Sequence, residues 1–263
     1  MQGFSTSKIA EIFGHNHHYY LDRFKELGFE IRSNKINSRK YTANFDYFDE
    51  INTAEKAYWL GYIYADGYVS SQQNRKKFGI ALSIKDKPQL EKLNACLDST
   101  YPIHEYTTNG YKEDTHYCRL VVESEKLFDD LVRHGVLEHK TDILTPPSLL
   151  DELIPSFILG YFDGDGSIYC AKSKYPFYAL SIVGTDAMLF FIHNFLVSRN
   201  VTSKKLKLEK RRAGQTVSYI RYGGNRLVGS ILDVLYSDIP DELPLKRKRI
   251  LYLNCKNRVF SRS

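Results

Sequence analysis

The sequence predicts an α+β fold built from two pseudo-symmetric halves and preceded by a small helical domain. Three observations carry this reading. The stretch Trp59-Leu60-Gly61-Tyr62-Ile63-Tyr64-Ala65-Asp66-Gly67 returns as Ile158-Leu159-Gly160-Tyr161-Phe162-Asp163-Gly164-Asp165-Gly166, an interval of 99 between Asp66 and Asp165. Downstream, Ala81-Leu82-Ser83-Ile84 recurs as Ala179-Leu180-Ser181-Ile182 at an interval of 98, and Tyr117-Cys118-Arg119 as Tyr219-Ile220-Arg221 at 102. Matches in one order at nearly one spacing mark an internal repeat. Within each copy the apolar pattern reads helix, two strands, helix, two strands, helix.

Composition sets the class. The 263 residues include 37 Lys+Arg and 31 Asp+Glu, a net charge of +6, with 43% hydrophobic and 26% charged residues. That excludes a wholly disordered chain, a collagen-like one and a coiled-coil rod, and the length suffices for a real core. No window approaches the ~18 consecutive apolar residues of a membrane span, and Met1-Gln2-Gly3-Phe4-Ser5 lacks the regions of a signal peptide. The expectation is a soluble cytoplasmic protein. Four cysteines, Cys96, Cys118, Cys170 and Cys255, lie far apart, which favours reduced thiols over a zinc site or disulfide framework.

The chain divides into residues 1–50, 51–150 and 151–263. In the first part, Thr6 to Phe13 places Ile9, Ile12 and Phe13 on one helical face, and Gly14 breaks it. His17 to Leu27 is helical again until Gly28. Two short helices around a glycine turn read as a helix-turn-helix, the bland alternative being a helical hairpin that only packs. His15-Asn16-His17 is not an HNH nuclease site, which needs histidines spread over a strand–helix unit. Ile31 to Phe45 is polar, basic and without period, as in a linker. The first repeat predicts elements near Ala54–Ala65, Tyr68–Ile84, Lys87–Leu97, Ile103–Val122 and Glu125–Val136.

Each repeated motif ends a helix. Asn52-Thr53 supplies an N-cap to the first, and Pro155 suits the first turn of the second. Gly67 and Gly166 stand where a helix C-terminus favours a left-handed residue. Gly61 with Ala65, and Gly160 with Gly164, lie four apart on one face, where two backbones can approach closely. Pairing through that face sets Asp66 beside Asp165. Carboxylates at helix C-termini oppose the dipole and repel one another. A divalent cation offsets this, and Mg²⁺ suits carboxylate oxygens completed by water and phosphate. Such a pair is the basis of metal-assisted phosphodiester hydrolysis. A single Asp-Gly is ordinarily a turn, but two in matching frames after small-residue helices point to a site.

Basic residues cluster at Arg75-Lys76-Lys77, over Lys204 to Arg212, and after Leu245, where no acid follows. With Phe78, Tyr175, Tyr219 and Tyr222 interleaved, these clusters suit a nucleic-acid backbone rather than an idle solvated face.

The two nonamers, above all their Ala-Asp-Gly and Gly-Asp-Gly endings, resemble the LAGLIDADG motif. The region from about Thr53 to Lys256 is similar to a two-repeat, single-chain LAGLIDADG homing endonuclease. The resemblance implies two αββαββα halves, motif helices at the interface, and four-stranded sheets forming a saddle in the DNA major groove. It also implies Mg²⁺-dependent double-strand cleavage at a long site, leaving short 3′ overhangs. By position, Asp66 and Asp165 become the metal-binding, catalytic carboxylates, with the carbonyls of Ala65 and Gly164 beside them. Lys85 becomes the basic residue lining the site, whereas the second repeat offers Gly184 or Thr185 there. Motif one has Tyr64 where many members have an acid and motif two has Asp163, a packing or capping position.

DNA contacts are expected from Gln72, Gln73, Asn74 and Arg75 in the first hairpin, with Lys76 and Lys77 in the basic cluster beside them, and from Lys172 and Lys174 in the second. Lys204, Lys205, Lys207, Lys210, Arg211 and Arg212 are expected phosphate grips. Arg119 and Arg221 can either line the site or pair with acids, with Arg221 also an expected DNA contact. The expected partner is double-stranded DNA bound by a monomer, with intron RNA a second candidate. The alternatives are an intron RNA maturase and a non-cleaving DNA-binding regulator on the same scaffold.

Overall fold

A computed structural model describes residues 6–29, 40–72, 75–108, 114–139, 143–171, 176–210 and 217–260. The chain separates into two compact units, Met1–Thr42 and Ala43–Ser263. In the first, α1 (Thr6–Phe13) and α2 (His17–Glu26) stand where the apolar spacing predicts them. Gly14 and His15 take positive φ of 74° and 66° between the helices, and Gly28 takes 72° beyond α2. Asn16 caps α2, its Oδ1 accepting from Tyr19 N at 3.0 Å. No described residue of α2 is buried.

The second unit starts earlier than the division at 50/51, because the expected linker has an apolar end. Ala43 and Phe45 pack on the core, Tyr47 and Phe48 are buried, and Asn44 N donates to Leu97 O at 2.7 Å. Residues 31–39 of that linker lie outside the described residues.

The first repeat comprises α3 (Ala54–Asp66), β1 (Gly67–Ser70), β2 (Lys77–Ser83), a 3₁₀ turn (Ile84–Asp86), α4 (Lys87–Cys96), β3 (Ile103–Thr108), β4 (Thr115–Glu123) and α5 (Glu125–Arg133). The second comprises α6 (Ile154–Asp165), β5 (Gly166–Ala171), β6 (Phe177–Gly184), α7 (Asp186–Ser198), β7 (Ser218–Gly223) and α8 (Asn225–Leu235), followed by α9 (Lys246–Phe260). Both sheets are antiparallel, in the orders β1-β2-β4-β3 and β5-β6-β7. Alternation along the strands buries Phe78, Ile80, Leu82, Cys118, Leu120 and Val122 against the helices and leaves the opposite face open. No described helix is long and apolar enough to cross a membrane.

Three expectations are corrected. Among the described residues the second sheet has three strands rather than four. The lysine-rich stretch 204–210 packs the half-buried Leu206 and Leu208 on the core but, among the described residues, joins the sheet only through the Glu209–Tyr219 bridge. Its alternation is strand-like, but Lys204, Lys205, Lys207 and Lys210 crowd like charges along that one edge. The basic tail is instead the helix α9, with Lys248, Tyr252 and Cys255 buried at i, i+4 and i+7.

The repeats also match by element but not residue by residue. Gly67 lies opposite Ile80, so the Ala-Leu-Ser-Ile match would place Gly166 opposite Tyr178. It lies opposite Ile182, four residues on. Continuing across the sheet, Ile80 faces Leu120 and Ile182 faces Ile220, two residues short of the Tyr222 that the Tyr-x-Arg match implies. Even displacements keep the apolar set on the core face, so each slip is tolerated without exposing it.

The two motif helices form the centre of the unit and run parallel. From Ala57 to Tyr64, and from Pro155 to Asp163, every residue is buried, as befits helices enclosed on all sides. A Cβ on Gly61 would overlap Phe157 O, and one on Gly160 would overlap Tyr58 O. Gly160→Ala is therefore expected to force the helices apart and destabilise the protein by about 1–3 kcal/mol or more. Urea unfolding measures this, and an unchanged midpoint would contradict the close approach.

Candidate functional site

The site lies where α3 and α6 end. Thr53 caps α3, Oγ1 accepting from Lys56 N at 3.2 Å, and Pro155 opens the first turn of α6. At the far end, a Cβ on Gly164 would meet the Ala65 methyl and stand 3.1 Å from Asp66 Oδ2. The missing side chain thus admits the Asp66 carboxylate to the foot of the second helix. Asp165 ends that helix, and both aspartates are half-buried. Gly67 and Gly166 are not left-handed: their φ values are −80° and −97°, ordinary extended backbone. Each helix passes straight into a strand, and glycine is required because a Cβ would strike Ile63 or Phe162 one turn back.

Two parallel helix C-termini bearing carboxylates concentrate negative charge. Part of the offset comes from a residue the sequence reading placed in a tail. Lys248 Nζ, buried, donates to Phe162 O at 2.5 Å, Asp163 O at 2.8 Å and Gly166 O at 2.6 Å, adding a cation to the carbonyls at the end of α6, where Phe162 O also accepts from Gly166 N. The i, i+4, i+7 spacing of Lys248 with Tyr252 and Cys255 was the signal that could have revealed it.

Asp163 stands inside the molecule as the packing reading expects. Its Oδ2 accepts from Tyr58 Oη at 2.8 Å and Leu245 N at 2.8 Å, joining both motif helices to the segment that leads into α9. Burial pushes its carboxyl above the usual carboxylate range, against the pull of Lys248. Gln89 Nε2 donates to Tyr58 Oη and to Leu243 O, and Arg247 grips Asp86 through Nε and Nη2 at 3.1–3.2 Å. Segment 243–248 therefore clasps the first repeat as well as the second. Lys85, the expected basic residue of the site, is exposed in the 3₁₀ turn beside Asp86.

The donor set fits a hard cation. Two carboxylates and the carbonyls of the last helical turns, including those of Ala65 and Gly164, are all oxygen, and Mg²⁺ needs only one or two carboxylates when phosphate and water complete its shell. Among the described residues no cluster of three or more His, Cys, Asp or Glu forms a closed cage for a metal.

The other expected residues lie in the first hairpin, in the stretch 204–210 and on the open sheet faces. Gln72, Arg75, Lys204, Lys205, Lys207, Lys210 and Arg221 are exposed. Lys76 is neutralised by Asp129 at 2.7 Å and Glu125 at 3.3 Å, Arg75 lies 3.9 Å from Glu123, and Lys207 lies 3.7 Å from Glu209. Lys77 is half-buried opposite Glu123 in the ladder. Arg119 takes an aromatic partner: Nη2 donates to Tyr106 Oη at 3.1 Å, and the guanidinium lies 4.9 Å from that ring. Gln73, Asn74, Lys172, Lys174, Arg211 and Arg212 lie outside the described residues.

Two repeats joined by a tight pair of parallel helices, each ending in an aspartate, are an arrangement that known proteins share. Residues 53–133, which hold the first repeat, match the family model of the LAGLIDADG-like domain. The homing endonuclease I-WcaI bound to its DNA recognition sequence shares the fold, with a TM-score of 0.52, 16% identity, and coverage of 83% of this chain and 94% of that one. So does the LAGLIDADG meganuclease I-AabMI bound to uncleaved DNA, at 0.52, 12%, 78% and 91%. The I-SmaMI homing endonuclease bound to cleaved DNA gives 0.50, 13%, 76% and 87%. No curated protein sequence matches the chain. The first repeat is thus a LAGLIDADG-like domain, and the fold is the one these endonucleases share.

Burial pulls the Lys248 ammonium from 10.5 down to about 8. Between those values the unfolded chain binds the proton and the folded one has released it, so this group makes stability rise with pH across that window. Lys248→Met removes the ammonium that Phe162 O, Asp163 O and Gly166 O share and is expected to cost about 1–3 kcal/mol or more. The gap between wild type and variant, measured by urea unfolding at several pH values, should widen from pH 8 towards 10.

Proposed function

We propose that the protein is a site-specific DNA endonuclease of the homing type, cutting both strands with the help of Mg²⁺. The observation that carries this reading is the placement of Asp66 against Gly164, which brings one motif's carboxylate to the end of the other's helix. The fold neighbours bound to DNA support duplex DNA as the substrate.

Asp66 and Asp165 would hold the cation, with the Ala65 and Gly164 carbonyls beside them. When bound, Mg²⁺ supplies charge neutralisation and polarisation of the scissile phosphodiester. Lys248 fixes the last turn of α6 and so the angle at which Asp165 is presented. The buried aromatic shell of Tyr58, Tyr62, Tyr161 and Phe162 keeps water from beneath the carboxylates. The open faces of the two sheets follow the major groove, which admits β-ribbons. Lys204, Lys205 and Lys210 hold phosphates, as Arg75 and Lys207 do once their weak surface ion pairs exchange for DNA. The helices α1 and α2 form a separate DNA-binding module that lengthens the recognised site.

The test uses the whole chain and a duplex library randomised over several helical turns. Double-strand cleavage is expected with Mg²⁺, none with EDTA, and binding without cleavage with Ca²⁺. Asp66→Asn and Asp165→Asn should each lower cleavage beyond the ~10–100-fold typical of outer-shell changes at metal sites, while keeping DNA binding. Tight binding with no cleavage under Mg²⁺ or Mn²⁺ would make the protein a DNA-binding regulator instead.

A further inference from the structure

The Tyr-x-Arg segments sit at the same place in the sequence repeat but at different places in the two sheets. In the first sheet, Arg119 faces Ala81 across the ladder. Ala81 lies one residue beyond Ile80, the partner of Gly67, on the side of Asp66. In the second sheet, Arg221 faces Ser181, which in turn faces Ser167, one residue past Gly166 on the side away from Asp165. The residue of the second sheet that does occupy the inner row is Tyr219, opposite Val183.

Both arginines are on the open face and both are held by aromatic rings. Arg119 lies over Tyr106, whose ring stacks on Tyr117 at 5.1 Å and 14°. The Arg221 guanidinium lies 5.5 Å from the Tyr219 ring. Across the ladder Arg119 has Ala81 on one side and His104 on the other, and Arg221 has Ser181; the small Ala81 and Ser181 leave that flank of each guanidinium open to a base edge. An arginine whose planar fork is steadied against a ring suits bidentate recognition of guanine O6 and N7, and Arg119 keeps Nε and Nη1 for this while Nη2 donates to Tyr106 Oη.

We infer, on the reading of the protein as a DNA endonuclease, that Arg119 and Arg221 each specify a guanine and that the two half-sites are read out of step. The guanine read by Arg221 lies about two base pairs farther from the cleavage centre than the one read by Arg119. The two-residue displacement amounts to ~6.6 Å along a strand at ~3.3 Å per residue, against ~3.4 Å of helix axis per base pair. The target is therefore not a palindrome at these positions, although the protein is a repeat.

In vitro selection from the same randomised duplex library, in Ca²⁺, gives the preferred sequence, and cleavage of the selected duplex in Mg²⁺ gives its centre. The expected motif has one guanine in each half, at distances from the centre that differ by about two base pairs. Arg119→Ala should erase the preference at the inner guanine alone and Arg221→Ala that at the outer alone, each weakening binding of the selected duplex about tenfold to a hundredfold. Arg119→Lys and Arg221→Lys keep the charge, so they should lose the same base preference without changing the salt dependence of binding, an outcome a merely structural role would not give. Guanines equidistant from the centre, or preferences unmoved in the variants while cleavage persists, would overturn the inference and leave the endonuclease reading intact. A protein that cuts no duplex would overturn both.

Discussion

Everything in the larger unit depends on two helix backbones lying against each other. Gly61 meets the carbonyl of Phe157, and Gly160 that of Tyr58. Any side chain at either place would wedge the helices apart. Contact at that distance fixes their relative rotation and translation, since backbones have no rotamers with which to adapt. It therefore fixes the ends as well, and the ends carry Asp66 and Asp165. The large aromatic side chains that the glycines exclude from the seam, Tyr58, Trp59, Tyr62, Tyr64, Phe157 and Tyr161, fill the surrounding core.

That arrangement has an electrostatic cost. Two negative helix termini, two half-buried carboxylates and the wholly buried Asp163 occupy one end of the pair, where burial penalises charge. The chain answers with segment 243–248. Leu245 N and Tyr58 Oη donate to Asp163, Lys248 satisfies carbonyls at the end of α6, and Arg247 reaches Asp86 in the first repeat. The same few residues neutralise the site and hold the two repeats in register. The positive charges of α9 are in this way mostly consumed within the molecule: Arg249 pairs with Asp241 and Lys256 with Asp233. Positive charge open to an outside partner belongs instead to 204–210 and to the arginines on the sheet faces.

What the sequence by itself determined was local or periodic. Helix starts at Thr53 and Pro155, the glycine break at Gly14, the small-residue seam and the pairing of the aspartates all follow from spacing, because a helix maps sequence interval directly onto a face. The repeat was legible for the same reason, at the level of elements. The tertiary structure alone decided what depends on partners distant in the chain. Strand register is one such matter: a slip by two or four residues preserves the apolar alternation, so pattern cannot detect it, and Arg119 and Arg221 come to stand on different rows. The extended rather than left-handed Gly67 and Gly166 are another, set by the direct passage of each helix into a strand. Lys248 is the third. A lysine among lysines and arginines looks like surface, and only the packing of α9 on α8 and β5, which brings its Nζ to the carbonyls at the end of α6, turns it into a buried cation.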